Sequence, residues 1–252
     1  MDRHVVVWLG ASLVATTLKQ ANTEDAGKLM QKKFDLIIFD LDGTLVDGRE
    51  AIRENFHLAL RKFGLPQVEN ERIDAMIGMP LVEMFERTLS PPNKHLAPKL
   101  VDVYAERYME TGHVGTTLLS GVIPVLQELK KDGFKLAVAT SKRNDPVRPL
   151  LERIELYKYF DLVTGLREGM KNKPHPDMIR YIMKELNAEP RKTVMVGDTP
   201  LDVITARNSG INVIAVTSSI VLGVTTMDKI RNANPDAIIS SLLDLPDYIY
   251  FR

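Results

Sequence analysis

FDLIIFD, residues 34–40, is a short apolar run holding two adjacent isoleucines, and it opens into LDGT at 41–44. A run of this length, without alternation and closed by Asp and Gly, reads as a strand buried on both faces that ends in a loop. Four later runs have the same character: Lys135 to Ala139, Leu162 to Thr164, Thr193 to Val196 and Asn212 to Val216. Helix-like segments separate them, and alternation of this kind implies a parallel sheet covered by helices on both faces, an α/β fold. Ser120 is placed to cap a helix that carries Val122, Val125, Leu126 and Leu129 inward and that Gly133 ends. Thr199 and Pro200 open another, which Gly210 closes.

Far more chain lies between the first two strands than one crossover helix requires. Ile52, Phe56, Ala59, Leu60 and Phe63 recur at helical spacing from Glu50 to Phe63, stopped by Gly64 and Pro66. Further helical pattern follows at Ile73 to Ile77, Leu81 to Leu89 and Leu96 to Met109. Residues 48–117 are therefore read as an inserted α-helical unit, with 33–47 and 118–252 forming the α/β core and 1–32 an N-terminal extension.

Composition sets outer limits. In 252 residues Lys plus Arg equals Asp plus Glu at 33 each, so no global field draws the protein to nucleic acid or to an anionic membrane surface. Cysteine is absent, which excludes disulfides, thiolate catalysis and cysteine zinc sites. Val5 to Ala15 is an apolar run too short to span a bilayer, and the preceding MDRH lacks the clear positive charge of a secretory leader. The chain is read as cytoplasmic, monomeric or homodimeric, with a cleaved signal as the alternative.

Ligands of open parallel sheets bind beyond the carboxyl ends of the strands, so the polar residues just after each apolar run are the ones to collect. They are Asp40, Asp42, Gly43 and Thr44; Thr140, Ser141 and Lys142; and Gly197, Asp198, Thr199 and Asp202, to which Lys173, before the helix at Pro176, is added. Carboxylates converging on one point repel unless a cation lies between them, and an all-oxygen set without His or Cys suits Mg²⁺. Mg²⁺ takes few protein carboxylates and prefers a phosphate oxygen beside them, which makes a small phosphorylated metabolite the natural partner. Lys173 then balances phosphate charge, while Thr140 and loop N–H groups, those of Ser141 and Gly43 among them, donate to it. Gly43 has an alternative role in its backbone angles. Asp40 remains as candidate nucleophile, and Asp42, two residues on, as the acid and base that serves the leaving oxygen and then the attacking water.

DLDGTLVD at 40–47, VATSK at 138–142, KPHPD at 173–177 and VGDTPLD at 196–202 resemble, in this order, the four motifs of the haloacid dehalogenase superfamily, in its phosphoglycolate phosphatase-like branch. The resemblance runs from about residue 33 to the C-terminus and implies a Rossmann-like parallel-sheet core with an inserted α-helical cap domain. Carried over by position, it implies Asp40 as nucleophile and metal ligand, Asp42 as acid/base and backbone-carbonyl metal ligand, and Thr140 as phosphate donor. It also implies Lys173 on phosphate and nucleophile, and Asp198 on Mg²⁺. Asp202 stands in the second acidic position of the fourth motif, where it is either a further metal ligand or the cap of its helix. The expected activity is Mg²⁺-dependent hydrolysis of a small phosphorylated metabolite (phosphoglycolate-like, a sugar phosphate or pyrophosphate) through an aspartyl phosphate. A sugar phosphomutase of the same superfamily and a catalytically silent ligand-binding module are the rival readings.

Outside the motifs, Arg49 and Arg53 are placed either to meet a substrate anion or to serve as solvated helix charges. The five histidines are scattered without metal-pair spacing, and His175 has no assigned role. Thr217, Ser218 and Ser219 follow the fifth strand where relatives often carry an aromatic residue and glycine.

Overall fold

In the computed structural model, residues 31–251 are described. The apolar run at 1–30 lies outside them. In chain order the elements that position the site are β1 (Leu36–Phe39), β2 (Val46–Asp47), α1 (Arg49–Lys62), α2 (Asn70–Asp74), α3 (Leu81–Thr88), α4 (Ala97–Thr111), β3 (Thr117–Leu118) and α5 (Val122–Lys131). There follow β4 (Lys135–Arg143), α6 (Asn144–Arg153), β5 (Leu162–Leu166), α7 (Asp177–Glu185), β6 (Thr193–Gly197), α8 (Pro200–Ser209), β7 (Asn212–Val216) and β8 (Ala237–Ile239).

Six strands form one sheet in the order β5-β4-β1-β6-β7-β8, and every pairing in it is parallel. The chain winds outward one way through β4 and β5, returns, and winds outward the other way through β6, β7 and β8. β1 sits at the reversal, the place where open α/β sheets hold their ligands beyond the strand ends. Alternate β1 side chains enter opposite cores. Ile37 and Phe39 pack with Val125, Leu126 and Leu129 of α5 and Leu150 and Leu151 of α6. Leu36 and Ile38 pack with Ile179 and Ile182 of α7 and Val203 and Ala206 of α8. Both faces being covered, each strand had to be apolar at every position, which is why FDLIIFD lacks alternation.

Three features depart from the expectations. β4 continues to Arg143, with its pairing to β5 shifting register between Ala139 and Arg143. Its apolar part ends at Ala139 because the residues beyond face a cleft rather than a helix. β8 was unforeseen. Finally, Ser120 caps nothing: the N-cap of α5 is Gly121, in the left-handed conformation at φ +82°, without a side-chain cap. Glycine alone enters that region at no steric cost, so the helix starts one residue later than the serine suggested.

Helices α1–α4 all lie between β2 and β3, which pair antiparallel, Val46 opposite Leu118 and Asp47 opposite Thr117. This two-residue ribbon gathers the outgoing and returning chain at one point. Phe56 of α1 and Phe85 of α3 stack with ring centroids 4.1 Å apart, and Tyr104 and Tyr108 of α4 stack at 5.3 Å. These rings belong to the same apolar cluster as Ile37 and Phe39, so the helices are seated on the sheet end of the molecule.

Candidate active site

The turn after β1 is built first. Asp40 N–H donates to the Val196 carbonyl of β6 at 2.9 Å, extending the β1–β6 pairing to the strand's last residue, and Gly43 N–H closes the turn on the Val46 carbonyl at 2.7 Å. Gly43 lies at φ +82°, and a Cβ there would fall 2.1 Å from Asp198 Oδ2. Both its backbone angles and its missing side chain are therefore required, while its N–H, read from the sequence as a phosphate donor, is taken by the Val46 carbonyl. Gly43→Ala is expected to cost at least about 2 kcal/mol, the sum of left-handed strain and a displaced buried carboxylate, read as a lowered midpoint in urea unfolding.

Asp40, at the end of the central strand, is buried and accepts from Lys173 Nζ at 2.6 Å. The same ammonium donates to Asp202 Oδ1 at 2.7 Å. Asp202 Oδ2 in turn accepts from Thr199 N–H at 3.0 Å and Thr199 Oγ1 at 2.7 Å, closing a capping box on α8. Asp202 thus caps its helix and holds the lysine with its two oxygens. Asp198, after β6, accepts from Thr44 Oγ1 at 2.8 Å. Asp40, Asp198 and Asp202 each offer an oxygen within 4.8 Å of the others, and all three are buried.

Electrostatics follows from this crowding. Burial pushes the Asp40 carboxyl up to about 7, with Asp202 and Asp42 adding to the rise and Lys173 opposing it. Asp198 is raised well above the usual carboxylate range by burial and then by Asp202 and Asp40, against the Thr44 hydrogen bond. For Lys173, burial works to lower the pKa, but the two carboxylates prevail and hold the ammonium protonated. Three buried acids share this one buried cation, so the cluster fits a hard cation with oxygen ligands.

Asp42 points elsewhere. Its Oδ2 pairs with Lys142 Nζ at 2.9 Å, and its buried Oδ1 has no partner. Lys142 also sits over the Tyr108 ring, 4.7 Å from its centroid. Lys142 was collected from the sequence without a role; its place beside Thr140 was the only signal, and the contact to Asp42 is tertiary. Thr140 is buried, with Oγ1 accepting from Lys142 N–H at 3.3 Å. Asp40, Asp42, Thr140, Ser141 and Lys142 line one cleft.

Arg53, His175 and Ser218 stay outside that cleft, and Arg49 lines the pocket beside it with Asp42, Asp198, Ile52 and Ile77. Arg49 grips Asp47, Nε to Oδ1 at 2.9 Å and Nη2 to Oδ2 at 2.7 Å, and also donates to the Leu222 carbonyl. Arg53 is held by Asp74, Nε to Oδ1 at 2.7 Å. His175 lies 2.8 Å from Asp177. Ser218 donates its hydroxyl to the Gly43 carbonyl, bracing the turn after β1 from the loop after β7.

Comparison with known proteins gives the family. The family model described as haloacid dehalogenase-like hydrolase matches residues 37–216. A Dickeya dadantii (strain 3937) protein named "Probable phosphatase IndB" is 37% identical over 213 residues, covering 83% of this chain and 91% of that one. Phosphoglycolate phosphatase of Photorhabdus laumondii subsp. laumondii is 30% identical over 213 residues, covering 83% and 89%. The solved structure of a haloacid dehalogenase-like family hydrolase from Streptococcus pneumoniae superposes with a TM-score of 0.75 at 28% identity, covering 86% of this chain and 98% of that chain. Matched by that family model over most of its length and by named phosphatases at 30% identity and above, the chain belongs to the haloacid dehalogenase-like hydrolases, as one of their phosphatases.

Proposed function

We propose that the protein is a Mg²⁺-dependent phosphatase that hydrolyses a small phosphorylated metabolite through an aspartyl phosphate on Asp40. The observation that carries this reading is the surround of Asp40: a buried carboxylate on Lys173, with Asp198 beside it, Thr140 in the same cleft, and the partnerless Oδ1 of Asp42 two residues away. The named activity of the Photorhabdus relative makes phosphoglycolate one substrate to test; sugar phosphates and pyrophosphate are the others.

In the first half-reaction an Asp40 oxygen attacks phosphorus, the phosphorus–oxygen ester bond breaks, and Asp42 gives its proton to the departing alkoxide. In the second, Asp42 takes a proton from water, the water oxygen attacks phosphorus, and the acyl phosphate bond breaks to release phosphate and restore Asp40. Lys173 stays protonated throughout and holds Asp40 in place. It also offsets phosphoryl charge, with Thr140 donating to an equatorial oxygen. Asp40 and Asp198 are the carboxylates assigned to Mg²⁺, with the Asp42 backbone carbonyl; Asp202 is the weaker candidate because helix cap and lysine already occupy its oxygens. When bound, the ion would supply charge neutralisation and polarise the phosphoryl group. The helices at 48–117 act as a cap that keeps bulk water from the intermediate.

The phosphatase assignment is tested by phosphate release from phosphoglycolate, pyrophosphate, sugar phosphates and nucleotides, with Mg²⁺ or a chelator. Release that is lost with the chelator supports it, and release from none refutes it. A second test uses linkage. Cation and proton compete for Asp40 and Asp198, whose pKa values are raised, so Mg²⁺ should raise the melting temperature more at pH 8 than at pH 5. An equal shift at both pH values would contradict the ligand assignment.

A further inference from the structure

One side of the cleft over Asp40 is polar, formed by Asp40, Asp42 and the β4 residues Thr140, Ser141, Lys142 and Arg143; the side facing them is apolar. Its far wall comes from the inserted helices: Ile52 on α1, Ile77 and Met79 in the loop before α3, Met84 on α3, and Tyr104 and Tyr108 on α4. The two tyrosine rings lie within 12° of parallel and form a stiff aromatic surface. Gly78 turns this loop at φ +96°, a backbone conformation that glycine enters without strain, and passes beside Thr199.

A substrate with a second anionic group would need a cation on this wall. Arg53 does not line the cleft and is held by Asp74, while Arg49 lines the adjoining pocket that shares Asp42, Ile52 and Ile77 with it, its guanidinium committed to Asp47 and the Leu222 carbonyl. The cations that do line the cleft are Lys142 and Arg143. Lys142 is paired with Asp42 at 2.9 Å, and Arg143 with Asp102 at 3.0 Å and Asp145 at 3.3 Å. A carboxylate or second phosphate seated against Met79, Met84 and Tyr104 would be desolvated without a partner, whereas a hydrocarbon there is moved from water onto apolar surface.

We propose that the substrate is a phosphate monoester whose leaving group is an apolar alcohol, aromatic or alkyl, without a second anion, and that Met79, Met84 and Tyr104 select it. This rests on the phosphatase reading and narrows its substrate class. Hydrolysis then follows the two half-reactions above, the leaving oxygen taking its proton from Asp42 and departing along the apolar wall.

The test compares kcat/KM for benzyl phosphate, phosphoglycolate and pyrophosphate with Mg²⁺, in the wild type and in Met79→Lys. Met79 is half-buried in a loop, so the lysine stem can be accommodated. The wild type is expected to prefer benzyl phosphate over phosphoglycolate by at least about ten-fold, the scale on which one apolar contact discriminates. Met79→Lys should cut that ratio by about ten-fold or more, because the new ammonium meets the glycolate carboxylate. Hydrolysis of phosphoglycolate equal to or better than that of benzyl phosphate would overturn this inference and leave the phosphatase reading standing. So would a preference for phosphoglycolate that disappears in Arg143→Gln, and an unchanged ratio in Met79→Lys would remove Met79 from the selecting set. Release from none of the three would overturn this inference, and release from none of the wider panel above would sink the phosphatase reading as well.

Discussion

Asp40→Asn is expected to lower phosphate release by at least about 10³-fold while leaving the fold intact, because an amide cannot form the acyl phosphate on which both half-reactions depend. Asp42→Ala should fall by a similar factor through loss of the proton carrier, with Lys142 left unpaired beside it. The Asp40 variant carries a second signature. Folding raises the Asp40 pKa from its ordinary value to about 7, so the ionised carboxylate costs stability above the unfolded pKa, and the full cost is present above about pH 7. Asn removes that charge and can still accept from Lys173. In metal-free buffer at pH 8 the variant should therefore melt no lower than wild type, and any gain should shrink as pH falls towards 4, where wild-type Asp40 takes up its proton. A variant that loses activity because it unfolds would melt lower at every pH, so one thermal series separates lost chemistry from lost structure.

Lys173→Met should damage both stability and rate. The side chain is buried, and its ammonium bridges Asp40 at 2.6 Å and Asp202 at 2.7 Å. Methionine fills similar space but leaves three clustered acids without their cation, and breaking a buried pair of this kind costs about 3–5 kcal/mol. For a chain of this size that corresponds to a melting temperature lower by roughly 10 °C. Asp40 would also hold its proton to higher pH, so residual activity should rise with pH across the range where wild type has levelled off. Adding Asp202→Asn should restore part of the stability, since one uncompensated charge is gone and the amide oxygen can still accept from Thr199, yet restore none of the rate. Recovery of rate in the double variant would move Lys173 from the phosphate to a purely structural position.

The legible part of the protein was the part governed by local patterning. FDLIIFD declared a doubly buried strand through unbroken apolarity, and the polar residues after each such run are those the sheet brings together at its carboxyl ends. Thr199 and Pro200 marked the start of α8, because N-caps and first-turn prolines are local rules. The helical pattern between the first two strands corresponds to α1, α3 and α4 within a few residues. What could not be read depended on distant partners. β2 and β3 are two residues each, too short for a periodic signal, and exist because they pair with one another. β8 is three residues at the sheet edge, bounded by β7 on one side. The fate of Arg49 and Arg53 turned on Asp47 and Asp74, and the contact of Lys142 with Asp42 on the continuation of β4 past Ala139 beside the turn after β1. The apolar wall of the cleft was present in the sequence as ordinary helix-core residues; only the seating of α1, α3 and α4 over the sheet end turns some of those side chains towards Asp40.

The most direct test of the central claim is to mix the enzyme with Mg²⁺ and a hydrolysed phosphate ester, quench in acid within a turnover, and measure the intact protein and its peptides by mass spectrometry. The account predicts a mass increase of one phosphoryl group on the peptide containing Asp40, labile to hydroxylamine as an acyl phosphate is, and absent from Asp40→Asn. Rapid phosphate release with no labelled peptide at any quench time, or a label that survives in Asp40→Asn, would contradict it.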